Sequence, residues 1–137
     1  MLSGLINKWL HFEDRTNLEK IEAEIRTGQD YDSLIKVYMD LYRKNAHAQK
    51  RYLLLVLLNH LLLKFHAEIG NRVMEHLMEI VELTQAKLLP KDWALKLKEF
   101  IFESLEKWAK EYPQYRAFKI AHQNILDSHG GTGIINV

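Results

Sequence analysis

The chain of 137 residues contains no cysteine. That removes disulfide frameworks, cysteine-bound zinc and thiol nucleophiles together, and it fits a reducing compartment. Proline occurs twice and glycine six times, with no Pro/Gly-rich break in the middle, so one domain is expected. An excess of one charge is also lacking: 19 Lys and Arg face 18 Asp and Glu, a formal net charge of +1. The chain as a whole is therefore no electrostatic magnet for nucleic acid or anionic lipid. Met1 to Leu10 has no basic start before its apolar part and no small-residue cleavage pattern, so no secretory leader and an intracellular protein are expected.

What is present is dominated by one stretch, Tyr52 to Phe65, apolar on nearly every side and broken only by Asn59, His60 and Lys64. A helix that is apolar nearly all round must be surrounded. The stretch falls short of the roughly 20 predominantly apolar residues of a bilayer span. It therefore reads as a central core helix over residues 46–66, walled by amphipathic neighbours.

Those neighbours follow from apolar spacing at i, i+3 and i+4. Leu2, Leu5, Ile6, Trp9 and Leu10 mark a short first helix. Asp14 or Thr16 is the candidate cap of a second, with Leu18, Ile21 and Ile25 inward and Gly28 supplying the left-handed residue that ends it. Asp30 caps a third helix, whose buried stripe is Leu34, Val37, Tyr38, Leu41 and Tyr42. After the central helix, Gly70-Asn71 is expected to reset the chain before a helix with Val73, Met74, Leu77, Met78, Ile80 and Val81 inward. Lys87-Leu88-Leu89-Pro90 reads as a connector. Trp93, Leu97, Phe100, Ile101, Ser104, Leu105 and Trp108 stripe the next helix, which Pro113 stops. Tyr115, Phe118, His122, Ile125 and Leu126 carry a last one. The expectation is an all-α fold of seven to eight helices, with residues 1–128 as a single domain and 129–137 as a flexible Gly-rich tail.

Chemistry is sparse. His60, His66 and His76 lack the i,i+4 spacing with a carboxylate partner of helical zinc sites, and no metal or cofactor is expected. Glu75, Glu79 and Glu82, like Glu99, Glu103 and Glu106, lie opposite apolar stripes, where a solvated face explains them better than acid–base work. No nucleophile elbow or phosphate loop occurs. One cluster stands out: Arg43, Lys44, Lys50 and Arg51 bracket the turn into the central helix. These four are the candidate partner-binding residues, suited to an acidic peptide, nucleic acid or a phospholipid head group. Against that stands the plainer reading of basic residues at helix ends. No interleaved aromatic side chains accompany them, which disfavours nucleic acid.

The order of features resembles a known family. A helix with Leu34, Met39 and Leu41 leads into Lys44-Asn45-Ala46-His47-Ala48. Arg51-Tyr52-Leu53-Leu54-Leu55 opens the central helix, Phe65-His66 follows, and Leu97 precedes Trp108-Ala109-Lys110-Glu111-Tyr112. Roughly Leu18 to Ile135 is similar to the VHS/ENTH domains, right-handed helical superhelices. Within these, His47 and Arg51, Glu79 with Leu83-Thr84, and Leu88 with Pro90 resemble the VHS-like amino-terminal domains of the UV-stimulated scaffold proteins. The resemblance implies a non-catalytic interaction module, nuclear and engaged with RNA polymerase II or repair factors in transcription-coupled nucleotide-excision repair. A VHS/ENTH trafficking adaptor, binding ubiquitin, sorting peptides or phosphoinositide, is the alternative the resemblance leaves open. A small helical enzyme is the reading from another class, disfavoured because no polar groups converge. Ubiquitin-binding VHS domains carry an exposed tryptophan early in their second helix, and Arg15 to Ile21 has none.

Overall fold

A computed structural model describes residues 2–12 and 15–128. The described residues form six helices: α1 (Leu2–Phe12), α2 (Arg15–Gly28), α3 (Tyr31–Lys44), α4 (Ala48–Gln85), α5 (Lys91–Glu111) and α6 (Arg116–Ser128). No strand occurs among them, and the fold is all-α. The proposed caps at Asp14 and Thr16, and the tail 129–137, fall outside the residues whose side chains or backbone are described.

The chain is organised around α4, which packs against α1, α3, α5 and α6. Leu53, Leu54, Leu55, Leu57, Leu58, Leu61 and Leu62 are all buried, and one apolar cluster runs from Ile6 in α1 to Ile125 in α6. At 38 residues, α4 is long and apolar enough by length and composition to cross a membrane. Length is therefore not what marks it as a core helix; the burial of its leucines is.

Two expected boundaries move. The reset expected at Gly70-Asn71 is not there; α4 consists of two helical segments that meet at a kink. Its bend comes earlier, at Phe65, where φ is −133° and ψ 22°. Neither proline nor glycine sits there. Instead the Tyr115 hydroxyl donates to the His66 carbonyl at 2.9 Å, the side-chain intrusion that opens a helical ladder. Gly70 makes room for that side chain. A methyl at its position would overlap the phenol end of Tyr115, so the glycine admits the tyrosine.

The second shift is at the end of α2. Gly28 is helical, and the left-handed residue is Gln29, with φ of 51°. Its N–H donates to the Ile25 carbonyl at 2.9 Å, closing the helix as a C′ residue does. Asp30 then caps α3 as expected, accepting from the Ser33 N–H at 3.1 Å and the Ser33 hydroxyl at 2.7 Å. Those hydrogen bonds hold its carboxyl below the usual carboxylate range. Met78, expected inside, is half exposed.

Several polar side chains in the core are paired across helices. Asn59 donates to the Leu55 carbonyl and the Ser104 hydroxyl, both at 3.1 Å, and accepts from the Trp108 indole at 3.0 Å. Tyr38 donates to the Leu54 carbonyl at 2.6 Å, and Tyr42 hydrogen-bonds Thr84. These bonds tie α3 to both halves of α4, and α5 to its first half.

Candidate functional site

The turn into α4 is built from its caps. Asn45 ends α3, its backbone N–H and its side-chain amide both donating to the Leu41 carbonyl, at 3.0 and 2.8 Å. His47 caps α4, accepting from the Gln49 N–H through Nδ1 at 3.2 Å. Ala48 N–H donates to the Leu89 carbonyl at 3.0 Å, and His47 pairs with Leu89 as an isolated bridge. The 86–90 connector is thereby stitched to the start of α4.

The four basic residues divide in this frame. Arg51 is 4 % exposed. Its Nε donates to the Tyr42 carbonyl at 2.9 Å, Nη1 to the Leu83 carbonyl at 2.8 Å and Nη2 to the Arg43 carbonyl at 3.3 Å. Tyr42 and Arg43 lie in the last turn of α3, and Leu83 in the last turn of α4, where carbonyls have no partner inside their helix. One guanidinium thus caps two helix C-termini, where the backbone dipoles also favour a cation. Burial pushes its pKa down from the ordinary arginine value. Buried and held by three carbonyls, Arg51 presents little surface to a partner.

Lys50 also turns inward, donating through Nζ to the Leu10 carbonyl in the last turn of α1 at 3.0 Å. Arg43 is exposed but engaged: Nε and Nη2 form a two-pronged pair with Glu79 at 2.6 and 2.7 Å, and Asp40 stands 3.6 Å away. The Arg43 hydrogen bond holds the Glu79 carboxyl below its usual range. Only Lys44 of the four is exposed with no partner among the described residues. The helix-end reading therefore accounts for Lys50 and Arg51, and the cluster is brought together mostly as a clamp.

The other polar candidates are dispersed. His60 Nε2 faces Glu22 Oε1 at 3.1 Å, linking α4 to α2, and neither atom has another partner among the described residues. His66 stacks at a tilt on Tyr112 with ring centroids 5.0 Å apart. Among the described residues, no group of three His, Asp or Glu side chains is placed to hold a metal ion.

A surface feature that sequence reasoning misses lies beside the clamp. Lys87, Leu88 and Leu89 of the connector and Lys91, Ala94, Leu95 and Lys98 of α5 line a groove of about 580 Å³. In the sequence the connector reads only as a joint. The signal for more is Leu95, a leucine on the lysine side of α5, away from the stripe through Leu97, Ile101 and Trp108.

Residues 10–127 match the UVSSA N-terminal domain family. The chain belongs to that family. No curated protein matches the chain, and no solved structure does. His47, Arg51, Glu79 and Thr84, on which the resemblance rests in the sequence, gather at this end of the fold. Arg51 reaches the Leu83 carbonyl, His47 pairs with Leu89, Glu79 holds Arg43, and Thr84 bonds Tyr42. In this UVSSA N-terminal domain they form the clamp that joins the ends of α3 and α4 to the connector.

Proposed function

We propose that the chain is a non-catalytic protein-interaction module of a transcription-coupled nucleotide-excision repair scaffold, residues 1–128 acting as its single domain. The observation that carries this reading is the UVSSA N-terminal domain match, which spans residues 10–127. The disposition of polar groups supports it. Asn59, Ser104 and Trp108, Tyr42 and Thr84, and Arg51 with its three carbonyls are each engaged in holding helices together. What remains for recognition is the outer faces of the helices. Partners of the kind the family implies are proteins, RNA polymerase II or repair factors, met in the nucleus.

The test is copurification. The tagged chain, expressed in ultraviolet-irradiated cells, is expected to concentrate in the nucleus and to bring down RNA polymerase II subunits or repair factors. Sedimentation with phosphoinositide vesicles, or capture by ubiquitin resin, without polymerase copurification would replace this reading with the trafficking-adaptor alternative.

A further inference from the structure

We infer that α5 carries a self-association face, the stripe Trp93, Lys96, Phe100, Glu103 and Lys107. A second copy of this chain docks on it antiparallel, about a two-fold axis beside Phe100. This goes beyond the partners of the interaction module and gives the module a dimeric form.

The five residues recur at i, i+3, i+7, i+10 and i+14, the spacing with which one helix seats along another. They lie about a right angle round α5 from Leu97, Ile101 and Trp108, which are buried in the core. Trp93 and Phe100 are half-buried, and Lys96, Glu103 and Lys107 are exposed. Trp93 meets the Tyr52 ring edge-on with centroids 5.4 Å apart, and Lys96 Nζ stands 4.6 Å from its own centroid. The indole lies outside the apolar cluster that fills the core. Phe100 packs on Tyr52 at 4.9 Å and borders a cavity of about 260 Å³, whose other walls are Asn59, Glu103, Ser104 and Lys107. Two large rings are thus left half-covered beside a hollow.

The charges on this face complement themselves. Lys96, Glu103 and Lys107 form no ion pair among the described residues. Lys96 precedes Phe100 by one helical turn and Glu103 follows it by one, while Trp93 and Lys107 stand two turns away on either side. A two-fold axis beside Phe100 therefore brings Lys96 of each copy to the hollow walled by Glu103 of the other. It also brings Lys107 of each copy to the Trp93 ring of the other, whose face Lys96 leaves free for a second ammonium. Phe100 meets its own counterpart at the axis, as an isologous contact requires. A parallel pairing would set Lys96 against Lys96 and Glu103 against Glu103, so charge selects the antiparallel one. An anionic partner would be repelled by Glu103, and a cationic one by Lys96 and Lys107. The stripe is about 21 Å long, which suits a weak interface rather than an obligate one.

The test is sedimentation of the full chain over a range of concentrations. A monomer–dimer equilibrium is expected, with Kd on the order of 100 μM, weakening as salt is raised. Concentration-dependent amide shifts in the isotope-labelled chain should concentrate in residues 93–107. Lys96→Glu and Glu103→Lys each set like charges against one another across the axis, and each should weaken the dimer about tenfold. The double variant restores the pairing with its signs exchanged, and should recover the unaltered Kd to within about threefold. Both positions face solvent, so thermal stability of the monomer should not change. A chain that stays monomeric to about 1 mM, or a dimer indifferent to both single reversals, would overturn the proposal. So would a double variant that dimerises no better than either single one, or assembly beyond two copies, which a closed two-fold contact forbids. The readings fail separately, because copurification with polymerase or repair factors tests the module whether or not it dimerises.

Discussion

Replacing Arg51 tests whether this end of the domain is a clamp or a contact. Arg51→Met keeps much of the side-chain volume and removes all five donors. The carbonyls of Tyr42, Arg43 and Leu83 then lose their partner at positions already short of solvent. A hydrogen bond from a charged donor contributes about 1.5–3 kcal/mol, and a buried acceptor left unpaired costs about 1–3 kcal/mol. Two effects reduce the sum. Burying the guanidinium opposes its own bonds, as its lowered pKa indicates, and water can reach the two partly buried carbonyls. A net loss of about 2–4 kcal/mol follows. For a chain of this size that is a fall in Tm of about 8–15 °C.

The assay is thermal and urea unfolding followed by helicity. Arg51→Lys should lie between, since one ammonium cannot fork to three carbonyls. Lys44→Glu, three residues before His47 and with no partner among the described residues, should change stability by no more than about 0.5 kcal/mol. If Arg51→Met melts within about 2 °C of the unaltered chain, the capping argument is wrong. Arg51 would then return to the list of partner contacts.

Three further outcomes follow from single features. Gly70→Ala should destabilise by about 1–3 kcal/mol by crowding Tyr115; in a Tyr115→Ala background the same change should become neutral or stabilise by up to about 1 kcal/mol, and the same sign in both backgrounds would refute the contact. Gln29→Gly should stabilise by about 0.5–1 kcal/mol because glycine adopts the left-handed backbone without strain; a loss of stability in urea unfolding would count against the assigned φ. Burial pushes the Tyr42 hydroxyl up to about 12 from its ordinary value near 10. Between those values the unfolded chain sheds the proton and the folded chain does not, so stability is complete below pH 10 and declines by about 2–3 kcal/mol as pH rises through the window. Tyrosinate absorbance should therefore lag for Tyr42, and for Tyr38, which burial also raises; all six tyrosines ionising together near pH 10 in a still-helical chain would contradict it.

The helices were legible because burial repeats with their period. The stripes through Leu34, Tyr38 and Tyr42, and through Leu97, Ile101 and Trp108, are the buried ones. Boundaries set by tertiary contact were not legible. Gly70 looks like a stop because glycine weakens helices, yet its reason is a tyrosine 45 residues later. Gly28 looks like the left-handed terminator, but the turn places that conformation one residue on, at Gln29, and nothing local in the sequence distinguishes the two.

The basic corner shows the same limit from the other side. Arg43, Lys44, Lys50 and Arg51 are alike in the sequence, and charge density alone makes them a site. Distance along the chain hides what separates them: the carbonyl that Lys50 meets lies 40 residues away, and Glu79 is 36 from Arg43. A long cation near several helix ends finds carbonyls before it finds a partner, because unpaired carbonyls are concentrated there. The cation left over at this corner is Lys44, the last residue of α3, exposed and with no partner among the described residues. The same reasoning takes Arg51 from the surface into the frame that joins the ends of α3 and α4. Charge reversal at Lys50 and Arg51 would thus report on folding.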